Sequence, residues 1–243
     1  LYEYDHLNQL KKYHRGLLNE TNTVIESPGL QQGWQFDATG NWRNFTQFDP
    51  TELTRTLDQE RLHNRVNEIT EIARTVGSDW SAPTYDRNGN TTRVSQPGGI
   101  GESFQTVYDA WNRLSMVKSS LGTLLMTYSY DALSRRVIES RGIHPKSLYY
   151  SDQWQVLEER VAGDVLEQYV WSLTYIDAMV LRDRATVTPG VMNERLYVVQ
   201  DVNFNVVALL DTFGAVVERF IYEPYGLFSS LTPDWTPSVN EYE

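Results

Sequence analysis

The chain has 243 residues, with 21 Lys and Arg against 32 Asp and Glu, for a formal net charge of −11. That balance argues against a nucleic-acid partner, which needs clustered cations; the longest basic cluster is the short Lys11-Lys12-Tyr13-His14-Arg15. There is no Cys, which rules out a disulfide framework, a Cys-ligated zinc and a Cys nucleophile, and no apolar run approaches the roughly 18 residues of a membrane helix.

The chain opens inside a pattern. Tyr4-Asp5-His6-Leu7-Asn8 is echoed by Phe36-Asp37-Ala38-Thr39-Gly40, then by Tyr85-Asp86-Arg87-Asn88-Gly89. Tyr108-Asp109-Ala110-Trp111-Asn112 and Tyr130-Asp131-Ala132-Leu133-Ser134 follow. A weaker copy, His63-Asn64-Arg65-Val66-Asn67, lies in the long gap after Phe36. Later echoes are Asp201-Val202-Asn203-Phe204, Asp211-Thr212-Phe213-Gly214 and Tyr222-Glu223-Pro224-Tyr225-Gly226. With no Met and no signal peptide ahead of the first copy, the expectation is a segment of a longer polypeptide.

The pattern has the physics of a hairpin. Asp at the first position of a type I turn accepts backbone N–H groups ahead of it. Three residues on, the chain needs a positive φ to return, which Gly or Asn tolerates best. Gly40, Gly89, Gly214, Asn8 and Asn112 stand there, and Ser134 less comfortably. An aromatic residue before the Asp suits a strand end. The flanks alternate as strands do in Phe104-Gln105-Thr106-Val107-Tyr108 and Met126-Thr127-Tyr128-Ser129-Tyr130. Further strands are predicted over 155–161, 166–171, 178–183, 195–200, 206–211 and 216–222. Residues 61–74 carry near-helical apolar spacing, but the embedded repeat copy favours strand and turn. Predicted loops are 23–33, 77–83, 96–101, 142–145 and 186–190. One repeat domain is expected over 1–230, with an irregular tail over 231–243.

Tyr-Asp, three residues, then Arg-Leu-Ser, recurring every twenty-odd residues with Tyr108–Met116 and Tyr128–Val137 as its clearest copies, resembles the YD-repeat (Rhs-repeat) family. The stretch from Tyr149-Tyr150-Ser151-Asp152 to Tyr222-Glu223-Pro224-Tyr225-Gly226 resembles the segment leading to the core of such bacterial proteins. The resemblance covers nearly the whole chain. It implies an all-β fold: a curved, spiralling antiparallel sheet of hairpins, part of a hollow β-shell. In Rhs and toxin-complex proteins such a shell encloses a C-terminal effector; wall-associated proteins and teneurins carry related shells at cell surfaces. It also implies an exported, secreted or cell-surface protein whose export signal is outside this segment. The implied partners are neighbouring repeats of the same polypeptide and an enclosed effector or a surface glycan, with no cofactor. Glu223 stands where the family has Asp, and the family's Arg- and Tyr-rich stretch and self-cleavage motif have no counterpart here.

For Asp5, Asp37, Asp86, Asp109, Asp131 and Asp211 the expected role is turn capping, since a catalytic pair needs to occur once rather than periodically. Glycosidases need two carboxylates roughly 5–10 Å apart. Neighbouring Glu158 and Glu159 point to opposite faces of a strand, so an enzyme has the least support. His6, His14, His63 and His144 lack metal-ligand spacing. Trp80, Trp111 and Trp154 remain as candidate sugar-stacking rings, which makes a surface adhesion or glycan-binding module the alternative to a structural wall.

Overall fold

The computed structural model describes residues 1–49, 54–96 and 103–238. Among them there is no helix; every element is a strand, and the strands pair as antiparallel ladders. The chain divides into two compact units, Leu1–Leu125 and Met126–Glu243.

In the first unit β1 (Tyr2–Tyr4), β2 (Leu10–Leu18), β3 (Ile25–Phe36), β4 (Trp42–Asp49), β5 (Thr54–His63) and β6 (Ile69–Val76) pair in chain order as a six-stranded sheet. Then β7 (Thr84–Tyr85), β8 (Thr91–Ser95), β9 (Ser103–Tyr108) and β10 (Leu114–Lys118) form a second ladder. One face of the six-stranded sheet is aromatic. Tyr13, Leu30 and Trp34 are buried there, with Leu10, Phe36, Trp42 and Phe45 packed on them. Trp34 and Phe45 lie 5.6 Å apart, and Trp42 stacks on Phe45 at 5.9 Å. The buried Arg61 guanidinium sits over Trp42 at 5.0 Å and donates to Gln59 Oε1 at 3.2 Å. A buried cation is tolerated there because the ring faces are its counter-charge.

The 23–33 segment is the clear correction to the sequence reading: most of it is strand β3. Its Gly and Pro residues signal a loop, but each has a place in the ladder. Pro28 and Gly29 fall at a register shift, where Gly16 pairs with Pro28 and Arg15 with Leu30, and a bulge is where a strand accepts Pro. Gly33 permits close strand approach, since a Cβ there would lie 2.8 Å from Thr46 Oγ1. The 61–74 region is strand, turn and strand. Most of the predicted 96–101 loop lies outside the described residues.

Most of β11 (Leu124–Tyr130) lies in the second unit. There it is followed by β12 (Arg136–Ser140), β13 (Lys146–Tyr150), β14 (Val156–Val161), β15 (Asp164–Trp171), β16 (Met179–Arg184), β17 (Glu194–Gln200), β18 (Val206–Leu210), β19 (Val216–Tyr222) and β20 (Phe228–Leu231). Each pairs with the next. Leu148, Glu159, Glu167, Arg184 and Glu194 form one cross-strand row from β13 to β17. Two of the buried carboxylates are paired: Lys146 Nζ reaches Glu159 at 2.7 Å and Arg182 reaches Glu167 at 3.7 Å. Such pairing is the condition for keeping charge in a half-dry face. After β20, Thr232 to Trp235 turn and Leu231 bridges Pro237, so hairpin geometry continues into the segment predicted as irregular.

The turn edge and a candidate aromatic site

The predicted turns have one geometry. In each, the first residue's N–H donates to the carbonyl four residues on, and the fourth residue's N–H donates back to the first carbonyl, as in Asp5 N to Gln9 O (3.0 Å) and Asn8 N to Asp5 O (3.1 Å). This is a type I turn closed by a bulge, and the ladders shift register beside it. Oδ1 of Asp5, Asp37, Asp86, Asp109, Asp131, Asp201 and Asp211 accepts the N–H groups two and four residues ahead at 2.8–3.0 Å. Asn64 makes the same bonds.

At Asp37, Asp86, Asp109, Asp131 and Asp201, hydrogen bonds within the turn hold the carboxylate ionised. The Asn41 amide, then Thr39, pushes Asp37 below the usual carboxylate range. Asn90 does so for Asp86 and Asn205 for Asp201. At Asp109 and Asp131 desolvation pushes upward, and the bonds from Arg113 and Arg135 outweigh it. A carboxylate so held makes a poor general acid.

The left-handed position is filled by Asn8, Gly40, Asn67, Gly89, Asn112, Ser134, Gly214 and Gly226, with φ from 60° at Asn8 to 89° at Gly226. Three occupants break the rule: Trp154 (φ 68°), Phe204 (φ 62°) and Trp235 (φ 65°). The Trp154 turn is capped by Ser151 Oγ, which accepts the N–H groups of Gln153 and Gln155 at 3.2 Å. Asp152 is therefore not the capping residue of that turn.

Antiparallel strands in chain order put alternate connections on the same edge. In the second unit the Asp131, Ser151, Ser172, Asp201 and Glu223 turns share one edge, while Ala162-Gly163, Asp211 and Thr232 lie on the other. Consecutive turns on that shared edge are stitched together. Arg135 Nη1 donates to Ser151 O (3.3 Å), Gln155 Nε2 to Ile176 O (2.9 Å) and Gln200 Nε2 to Asp177 O (2.9 Å). In the first unit Asn41 Nδ2 reaches Asn67 Oδ1 at 3.0 Å, and Asn90 Nδ2 reaches Asn112 Oδ1 at 2.9 Å.

The aromatic residue before the turn has a job the sequence reading missed. Tyr150 Oη donates to Arg136 O (2.7 Å), Trp171 Nε1 to Val156 O (2.7 Å) and Tyr222 Oη to Val206 O (2.8 Å). Tyr85 Oη accepts from Ile69 N at 3.2 Å. In every case the contacted backbone is the first residue of the previous hairpin's return strand. A flat apolar body with a polar tip is what that reach requires.

Of the candidate stacking rings, Trp80 is half-buried, Trp111 is 74% exposed and Trp154 is 52% exposed. Trp111 and Trp80 lie in the first unit and Trp154 in the second. Trp111 carries the Arg113 guanidinium over its ring at 5.1 Å, and Trp235, 61% exposed, carries Arg219 at 4.5 Å. The turn from Ser172 to Ala178 is longer than its neighbours, closed by Ser172 N to Ala178 O at 2.7 Å. It places Leu173, Tyr175 and Ile176 in solvent between the Trp154 and Phe204 turns, with Tyr175 stacked on Phe204 at 4.4 Å.

Acids elsewhere are engaged. Glu158 bonds Gln168 and Arg160 while Glu159 bonds Lys146, so the two do face opposite ways. Asp183 holds Arg195 through both oxygens at 2.7 Å. A groove of ≈ 410 Å³ in the first unit is lined by Lys12, Gln31, Asn44, Asp58 and Glu60 among others. Burial pushes Asp58 upward, but bonds from Asn44, Arg55 and Thr75 outweigh it and hold it ionised. Among the described residues no three His, Asp or Glu converge as a metal site.

Strand pairing and turn chemistry together define an all-β chain of repeated antiparallel hairpins. No family model and no curated protein matches it. Among solved structures, the chain is similar to the Photorhabdus luminescens Tc holotoxin pore with a mutated TccC3: 11% identity over 93% of this chain, TM-score 0.38. It is also similar to TcdB2-TccC3 without its hypervariable C-terminal region: 10% identity over 96% of this chain, TM-score 0.40. The chain spans 15% and 16% of those two chains.

Proposed function

We propose that this chain is a non-enzymatic structural segment of a larger exported protein, a panel of β-wall that encloses or displays something else. The observation that carries the reading is the stitched edge. The repeat's side chains are engaged in the wall itself: the carboxylates hold their own turns, and the aromatics hold the previous hairpin. The test is to express the polypeptide that carries this segment with Asp37, Asp86, Asp109 and Asp131 changed one at a time to Asn, which keeps the capping acceptor. Processing and release of any enclosed domain are expected to survive each change. Abolished processing in a folded variant would make that Asp catalytic and overturn the reading.

A second reading, surface glycan binding, draws on the exposed Trp111 ring. A glycan-array signal that disappears in Trp111→Ala supports it; no signal from the wild-type chain removes it.

A further inference from the structure

Three neighbouring turns on one edge of the second unit differ from the rest. In two of them a bulky ring occupies the left-handed position, Trp154 and Phe204, where sibling turns other than that of Trp235 have Gly, Asn or Ser. A large side chain is strained there, and such strain collects at working sites. Phe204 has a local reason in its stack on Tyr175. Trp154 has no ring partner among the described residues, and its ring is half in solvent. Between them the lengthened turn adds Leu173, Tyr175 and Ile176, each exposed. The Gln155 and Gln200 bonds to the backbone of that turn make the three turns contiguous. Exposed apolar side chains gathered on adjoining turns are the composition of an interaction site.

The charge of these turns is one-sided, and the Arg135 guanidinium that reaches Ser151 is already held by Asp131. Asp152, Asp177 and Asp201 are exposed on the same three turns, and residues 151–155, 172–178 and 201–205 contain no Lys or Arg. Asn205 keeps Asp201 ionised. The chain elsewhere covers its turn rings with its own cations, Arg113 over Trp111 and Arg219 over Trp235. Among the described residues no such cation lies over Trp154 or Tyr175. The exposed Trp154 and Tyr175 rings, beside the Asp152 and Asp177 carboxylates, select a cationic guest.

We propose that the edge formed by Trp154, Tyr175, Ile176 and Phe204, rimmed by Asp152, Asp177 and Asp201, docks a polypeptide segment that presents arginine side chains. Guanidinium groups lie over Trp154 and Tyr175, and the Asp152 and Asp177 carboxylates take their N–H donors. Trp154 combines a left-handed backbone with a ring half in solvent, the position at which a costly residue serves a docked partner.

The probe is a fluorescein-labelled nonapeptide alternating arginine and glycine, titrated with the full chain by fluorescence anisotropy. The same peptide with glutamate for arginine is the control. Saturable binding of the arginine peptide alone is expected, weakening at least tenfold in Trp154→Asn and in the Asp152→Asn/Asp177→Asn double variant. Phe213→Ser, on the opposite edge, is expected to bind as the wild type does. Because Asn is the residue sibling turns use, Trp154→Asn should not lower the melting temperature, which separates loss of the site from loss of the fold. No binding to the wild type, equal binding to Trp154→Asn, or equal binding of the glutamate peptide overturns the proposal. So does a glycan-array signal that depends on Trp154. The β-wall reading stands or falls separately, on the carboxylate variants.

Discussion

Gly77 and Gly122 belong to the same unit and share a backbone conformation, with φ of 91° and 85°, yet they sit in different surroundings. Replacing either by Ala incurs the left-handed penalty, about 1–2 kcal/mol. Either change also removes some freedom from the unfolded chain, worth about 0.4–1 kcal/mol in the other direction. These contributions cancel in the comparison. What remains is space. A Cβ on Gly122 meets nothing within 4 Å, while one on Gly77 lies 2.7 Å from Thr56 O and 2.8 Å from Leu57 Cδ1. The Leu57 methyl can swing away, but the Thr56 carbonyl belongs to β5, so the strand itself must shift. Overpacking of that kind costs about 1–3 kcal/mol. Gly77→Ala should therefore be the worse variant by about 1–3 kcal/mol. At a urea m-value near 2 kcal/mol/M, the midpoints differ by about 0.5–1.5 M. Urea unfolding followed by tryptophan fluorescence and circular dichroism measures this. Equal midpoints, or a lower one for Gly122→Ala, would refute the claim that proximity to β5 decides the difference.

Tyr150→Phe and Tyr222→Phe each remove one stitch to the preceding hairpin, at about 1 kcal/mol in thermal or urea unfolding. Tyr149→Phe, on a ring half exposed to solvent, should change stability by less than about 0.5 kcal/mol; equal effects from all three would dismiss the stitch. Trp34→Ala empties the aromatic face of the first unit and should cost about 3–5 kcal/mol, enough to bring its unfolding midpoint down well before that of the second unit in a hydrogen-exchange profile. Asp37, Asp86, Asp109, Asp131 and Asp201 all have folded pKa values below their unfolded ones. Their stabilisation is thus present above about pH 4 and is lost as pH falls through that value towards the folded pKa. Urea midpoints should hold from pH 7 to about 5 and fall below about 4, and Asp37→Asn should shallow that fall.

Much of the fold is legible because its turns are chemical events with a strict order. Asp, two tolerant residues, then Gly or Asn can be read directly, and Asn67 at φ 66° shows that even the weak copy in residues 63–67 follows it. The predicted strand over 216–222 coincides with β19, and that over 155–161 begins one residue before β14. The rule fails where tertiary context overrides propensity. β3 runs through Pro28, Gly29 and Gly33 because neighbouring strands use those residues as a bulge and a close approach. Trp154, Phe204 and Trp235 occupy left-handed positions that no propensity scale assigns to them. The aromatic edge was only partly visible. Trp154 stands out by type, but Tyr175 and Phe204 become neighbours only once the lengthened turn from Ser172 to Ala178 folds between them. A faint signal was available in the acidic residues of those turns and their lack of any Lys or Arg.

The backward reach of the pre-turn aromatics gives the polypeptide a direction. Arg136 O receives its hydrogen bond from Tyr150, Val156 O from Trp171 and Val206 O from Tyr222, so a hairpin's return strand is finished only when its successor arrives. Nothing comparable in these contacts asks a hairpin to await the one before it. A chain emerging amino end first can therefore consolidate one hairpin at a time, each arrival sealing the last, and the unsealed portion never exceeds about a single repeat. Growth of this kind is governed by nearest-neighbour coupling. Each hairpin can then become ordered without waiting for distant parts of the chain.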